Sequence, residues 1–202
     1  MKSLRIIGAG GHGKVVADTA MACGYGDIAF LDDAFPEKQA IGAWPILGKL
    51  GMGGDVPLFC GIGTNSVRAK LFDTYSLGSA CVLVHPSSLI SSSATIGAGT
   101  LVVAGCIVNA DAYIGKGVIL NTACSVDHDC RIGDFVHISP GARLAGNVTV
   151  ADGSWIGIGA VVREGVTIGK NAIVGAGAAV IEDVAEGGRV GGVPARELSK
   201  KA

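Results

Sequence analysis

Stepping six residues at a time from Val84 to Val180 meets an aliphatic side chain at every stop: Val84, Ile90, Ile96, Val102, Val108, Ile114, Leu120, Val126, Ile132, Ile138, Leu144, Val150, Ile156, Val162, Ile168, Val174 and Val180. Four residues after each, from Ser88 to Ala178, stands a small residue: Ser, Ala, Thr, Cys or Val. An α-helix repeats every 3.6 residues and a half-buried strand every second residue, so neither explains a period of six. One aliphatic and one small inward residue per hexapeptide is the requirement of a triangular prism of short parallel strands, with three hexapeptides to the coil.

Composition narrows the partners. The chain has 202 residues, 16% of them charged, and a net charge of -1, which gives no electrostatic footprint for nucleic acid. A mean hydropathy of +0.50 and the charge-free run from Leu89 to Ala110 have the length and greasiness of a membrane span. That run is rich in Ser, Thr and Gly, and it shares the hexapeptide register with charged sequence on its C-terminal side, so no membrane insertion is expected. The first residues break into glycines before an apolar signal core forms, and a cytoplasmic protein is expected. Six cysteines without a CxxC pair read as reduced thiols. Cys124-x3-His128-x-Cys130 has zinc-ligand chemistry, but the register turns Cys106, Cys124 and Cys130 inward as compact hydrophobes, and no metal is expected.

The uninterrupted register resembles the left-handed β-helix acyltransferases, the hexapeptide-repeat family. That resemblance implies a left-handed coil and a homotrimer, neither of which follows from periodicity alone.

Residues 1-80 precede the prism, which with a short tail occupies 81-202. Leu4 to Ile7 reads as a buried strand, His12 to Cys23 as a helix, Ile28 to Leu31 and Val56 to Cys60 as further strands, and a short helix follows Asn65. This is a small Rossmann-like α/β unit. Gly8, Gly10 and Gly13 satisfy GxGxxG spacing, and Asp32-Asp33 follows the second strand. Glycines let the backbone approach a diphosphate, and a helix N-terminus offers it free N–H groups. Eighty residues amount to about half of a dinucleotide fold, so one nucleotide diphosphate fits better than NAD.

Gly8-Ala9-Gly10-Gly11-His12-Gly13, Leu31-Asp32-Asp33, Pro45-Ile46-Leu47-Gly48, Val126-Asp127-His128-Asp129-Cys130 and Gly192-Val193-Pro194-Ala195, together with the prism, resemble the sialic acid O-acetyltransferase and nucleotide-4-amino-sugar N-acetyltransferase family over nearly the whole chain. The resemblance implies an N-terminal domain that holds a nucleotide-linked amino sugar, through Gly10, Gly11, His12, Asp32 and Asp33. It also implies a prism that holds acetyl-CoA as co-substrate, with the active site at a subunit boundary.

Gly97, Gly115, Gly133, Gly157, Gly169 and Gly175 each follow a core aliphatic residue and read as corners. The column Ser91, Asn109, Asp127, Ala145, Arg163 and Ile181 lacks glycine, and His128 lies on it between two carboxylates. A histidine so placed is outward. Acyl transfer from a thioester to an amine needs a base near neutral pKa, which His128 supplies. A neighbouring carboxylate can fix its tautomer, and by resemblance Asp129 is that group. Ala145 and Gly146, one coil further, leave room for a pantetheine arm. The family's CoA groove implies roles for His137, Gly157, Ala160 and Gly175; tight corners and a polar subunit contact are the plain alternatives. His85 reads as a structural turn, and Arg68 and Lys200-Lys201 as cations free to meet phosphates. The expected activity is N-acetylation of a nucleotide-linked 4-amino-4,6-dideoxy sugar. Sialic acid O-acetylation, NAD binding and a non-catalytic scaffold are the competing readings.

Overall fold

The computed structural model describes residues 1–198, and the tail lysines Lys200 and Lys201 lie outside them. In the N-terminal unit, β1 (Lys2–Ile7) leads into α1 (Gly11–Ala22), then β2 (Tyr25–Leu31), β3 (Ala40–Ile41), β4 (Trp44–Gly48), β5 (Leu58–Cys60) and α2 (Asn65–Thr74). The sheet order is β3-β4-β2-β1-β5; β4, β2, β1 and β5 run parallel, and β3 closes one edge antiparallel to β4. The β3-β4 hairpin adds to the expected unit. On β4 only Ile46 and Gly48 are buried while Leu47 faces solvent, an alternation too short to stand out in the sequence.

The glycines of the β1-α1 turn do different jobs. Gly8 takes φ +97, and a Cβ there would run into Ile62; a Cβ on Gly13 would run into the Gly8 carbonyl and the Phe30 ring. These two let α1 pack against the sheet. Gly10 and Gly11 are exposed, with open space where a Cβ would stand.

From Leu83 the chain winds into a parallel solenoid of two-residue strands, each of those from Leu83–Val84 to Val161–Val162 pairing with the strand eighteen residues on; Ile173–Val174 pairs sixteen residues on with Arg189–Gly191, which Arg196–Glu197 joins antiparallel. The first face begins at Leu83–Val84 and has eight strands, the second begins at Leu89–Ile90 and has six, and the third begins at Thr95–Ile96 and has five. The aliphatic stops from Val102 to Val180 are all buried, in one continuous stack with the small residues between them. Each such Val, Leu or Ile contributes about 1.5–3 kcal/mol of burial. Cys124 and Cys130 lie in this stack, with Cys106 Sγ 3.7 Å from Cys124 Sγ, whereas the His128 side chain is 57% exposed. The three candidate zinc ligands therefore diverge.

The turns correct the expected corners. The left-handed backbone falls three residues after each aliphatic stop from Ile96 to Val174, at Gly99, Gly105, Asp111, Gly117, Ala123, Asp129, Phe135, Gly141, Asn147, Gly153, Gly159, Gly165, Asn171 and Gly177. Gly97, Gly115, Gly133, Gly157 and Gly169 are glycine for another reason: a Cβ on any of them would press within 3 Å of the backbone of the next coil.

Two helix residues pin the N-terminal unit to the prism. Arg68, 1% exposed, donates from Nε to the Gly117 carbonyl (2.7 Å) and from its terminal nitrogens to the carbonyls of Gly63 (2.9 Å) and Phe135 (2.8 Å) and to Asn65 Oδ1 (2.8 Å). Asn65 Nδ2 in turn donates to the carbonyls of Gly153 and Ser154. Phe135 carries a bulky side chain at φ +56, a strained conformation, and its ring packs edge-on against Phe72 of α2 at 5.1 Å. Leu83 and Leu101, outward on the first face, are buried under the N-terminal unit in its own core.

Candidate active site

His128 stands on the edge between the second and third faces, directly after the strand Ser125–Val126. Its Nδ1 lies 2.8 Å from Asp129 Oδ2. With Nδ1–H donating to that carboxylate, Nε2 is left with its lone pair toward solvent. Asp129 occupies one of the left-handed turn positions (φ +60), a conformation that short polar side chains tolerate better than most. The hydrogen bond to Asp129, then the charge of Asp127, holds the His128 pKa above the ordinary imidazole value. The ring lies over Gly146 of the next coil, where a Cβ would stand 2.5 Å from Cε1. Gly146 therefore makes room for the His128 ring itself.

A shallow groove of about 410 Å³ runs along the next edge, between the first and second faces, lined by Asn121, His137, Trp155, Gly157, Ile173 and Gly175 among others. His137 is 5% exposed; its Nε2 lies 3.1 Å from Asn121 Nδ2 and its ring 4.1 Å from that of Trp155. On its other side it meets His12 of α1, with ring centroids 6.1 Å apart. Among the described residues, His12 Nε2 and His137 Nδ1 are buried with no partner in hydrogen-bond geometry. Burial, then the nearby Arg68 charge, pulls His12 down to about 4 and His137 to about 3, so both rings are neutral at physiological pH.

At the mouth of the N-terminal unit, Gly10 caps α1 with no side-chain bond, leaving first-turn N–H groups facing the open space beside Gly10 and Gly11. Asp32 does not face that space freely: its two oxygens accept from the Ala9 N–H (2.6 Å) and the Ala34 N–H (2.9 Å), tying the glycine turn to the end of β2. Asp33 is exposed, with one long contact from the Leu50 N–H at 3.4 Å.

Residues 3–75 match the PglD N-terminal domain family, and residues 147–182 match the bacterial transferase hexapeptide (six repeats) family. The acetyltransferase domain of PglB from Neisseria gonorrhoeae FA1090, solved with acetyl coenzyme A, superposes with a TM-score of 0.90 at 40% identity, over 98% of this chain and 99% of that one. This chain belongs to the nucleotide-amino-sugar N-acetyltransferase family. A second member, PerB from Caulobacter crescentus in complex with CoA and GDP-perosamine, gives a TM-score of 0.91 at 38% identity, covering 98% of both chains. The UDP-N-acetylbacillosamine N-acetyltransferase of Bacillus subtilis (strain 168) is 39% identical over 119 residues, and this chain spans about half (52%) of the length of that curated relative. The solenoid is the left-handed β-helix of this family.

Within the family frame, the residues singled out in the sequence fall into three places. His128, Asp129, Ala145 and Gly146 gather on one edge, and His137, Gly157 and Gly175 on another. Gly10, Gly11, His12 and Asp32 surround the β1-α1 turn, while Asp33, just after β2, meets Leu50 instead. Ala160 is the exception: its side chain is fully buried in the prism, and its N–H and carbonyl bond to Gly157 and Arg143, so it offers a ligand little. Arg68 is likewise withdrawn from any phosphate, because its donors are consumed by carbonyls; burial lowers its pKa to about 10. His85 is the structural turn expected of it, with Nδ1 bonded to Ser87. Asn121 and Trp155 line the groove and carried no motif in the sequence, though each sits eighteen residues from another groove residue. Among the described residues no helix is long and apolar enough to cross a membrane.

Proposed function

We propose that this protein transfers the acetyl group of acetyl-CoA to the amino group of a nucleotide-linked 4-amino-4,6-dideoxy sugar, with His128 as general base. The observation that carries this reading is the His128–Asp129 pair, 2.8 Å apart on an exposed edge, in a chain whose relatives were solved with acetyl coenzyme A or with CoA and GDP-perosamine. Nε2 of His128 accepts a proton from the sugar amine as its nitrogen attacks the thioester carbonyl. The imidazolium, stabilised by Asp129, then protonates the departing CoA sulfur as the tetrahedral intermediate collapses to the amide.

The acetyl-CoA arm fits the groove beside His137, Trp155 and Gly175, and the open space at Gly10 and Gly11 suits the diphosphate of the sugar. His128 and that groove lie on different edges of one prism, separated by a whole face. A homotrimer in which one subunit's His128 edge meets the neighbour's groove would bring them together, and this is the assembly we infer. A cytoplasmic location follows from the same reading, since CoA thioesters and nucleotide sugars are cytoplasmic metabolites.

The test is to mix the protein with acetyl-CoA and a panel of UDP-, GDP- and dTDP-linked 4-amino sugars and to follow free thiol. Turnover on one amino sugar is expected. Turnover on sialic acid with none on any amino sugar would replace this reading with O-acetylation.

A further inference from the structure

The groups that hold the main chain of His128 differ from the group that holds its ring. Asp127 Oδ1 accepts from the His128 backbone N–H at 3.0 Å, and the same oxygen accepts from Asn109 Nδ2 at 2.6 Å. Asn109 stands one coil earlier, eighteen residues back on the same edge, and both residues are half-buried where His128 is exposed. The neighbouring peptides are tied as well, with the Asp129 N–H on the Ala110 carbonyl (3.0 Å) and the Asn147 N–H on the His128 carbonyl (2.9 Å).

We propose that Asn109 and Asp127 are positioning residues for the acetyl transfer, a two-coil clamp that fixes the His128 backbone so that its imidazole stays between Asp129 and Gly146. This rests on His128 being the base.

The physical case has two parts. A hydrogen bond to a carboxylate is shorter and stronger than a neutral one, so a single Asp127 oxygen shared by two donors is a firm anchor for an otherwise exposed turn. The Asn109 amide also sets the Asp127 rotamer. Left free, that carboxylate would compete with Asp129 for the His128 Nδ1–H and turn Nε2 away from the reacting amine. The ladder Asn109–Asp127 recurs nowhere else on this edge, whose remaining members are Ser91, Ala145, Arg163 and Ile181. The prism therefore has no need of an Asn–Asp pair at this corner for its own folding.

The experiment measures kcat, both KM values and Tm for the wild type, His128→Ala, Asp127→Ala, Asp127→Asn and Asn109→Ala. It also records the His128 Cε1–H resonance in each protein that retains this histidine. Asp127→Ala is expected to lower kcat by about 10- to 100-fold, the scale of a misplaced catalytic group, with both KM values within about twofold and Tm little changed. Asp127→Asn keeps an acceptor oxygen and is expected to recover at least about fivefold of that loss, with Asn109→Ala falling between the two. The histidine resonance, single and sharp in the wild type, is expected to broaden or split in Asp127→Ala. Unchanged kcat and an unchanged resonance in Asp127→Ala would overturn the clamp. So would a loss that Asp127→Asn fails to recover, or one that follows a drop in Tm. Near-normal turnover by His128→Ala is a separate outcome that would remove the base itself, and the clamp with it.

Discussion

The imidazole of His128 lies across Gly146, one coil further along the chain, so closely that a methyl group on Gly146 would stand 2.5 Å from Cε1 and 2.6 Å from Nε2. Gly146 is not one of the left-handed glycines, so alanine strains no backbone there and its whole effect falls on the ring. Gly146→Ala is expected to lower kcat at least about tenfold by tilting the imidazole proposed as base, with the thermal transition nearly unmoved. Steady-state kinetics beside a melting curve checks both halves.

Asp129 acts on the same ring from the side. The hydrogen bond to its carboxylate is the chief cause holding the His128 pKa above the ordinary imidazole value, and a base in the proposed role works only when neutral, so the acidic limb of kcat/KM against pH is expected above that value. Asp129→Asn removes the charge but tolerates the left-handed backbone. The limb is expected to move to lower pH while the plateau falls by about 10²-fold through loss of the imidazolium partner. A pH-rate profile from pH 5 to 9 reads both; a limb that stays in place would contradict the assignment.

The junction of the two units rests on Arg68. Arg68→Met fills similar volume but leaves the carbonyls of Gly63, Gly117 and Phe135 without their donor. At about 1–3 kcal/mol for each unsatisfied buried group, the expected loss is about 3 kcal/mol or more. Urea unfolding should show a lower midpoint, with the N-terminal unit melting ahead of the prism.

His12 and His137 make the fold acid-sensitive. Both are held neutral in the folded state, to about 4 and about 3, whereas the unfolded chain protonates them near 6.5. Between those values the unfolded state binds more protons, so stability is full above the unfolded pKa and is lost as pH falls toward the folded ones. Tm is expected to drop steadily from pH 7 to pH 4, and a His12→Gln, His137→Gln double variant should show a shallower slope.

Much of the prism was visible in the amino acids because a solenoid is constrained in one dimension. The inward residue of each coil answers only to the coils on either side, so Val84 to Val180 spells the register without help from distant contacts. His128 could be read for the same reason: a polar residue in a known register must face outward. What escaped depends on how one element lies on another. Arg68 reads as a surface cation until α2 is seen pressed on the prism. Asp32 reads as a ligand group until β2 is seen to end beside the glycine turn. Gly146 reads as space for a substrate, whereas its neighbour is the His128 ring. Phe135, at a turn that glycine usually fills, gave no local signal because its backbone conformation is held by Phe72 and Arg68 from another domain.

The eighteen-residue pitch makes the prism a ruler. An inserted or deleted coil of that length leaves every inward side chain inward and every turn residue at its turn, whereas any length that is not a multiple of six rotates the whole remainder of the chain out of phase. Between His128 and Gly146 even a six-residue change would carry the glycine to a different edge and put another residue beneath the ring. Whole coils that leave both the His128 edge and the α2 contacts in place are therefore those added beyond Ser154, the last carbonyl that Asn65 reaches.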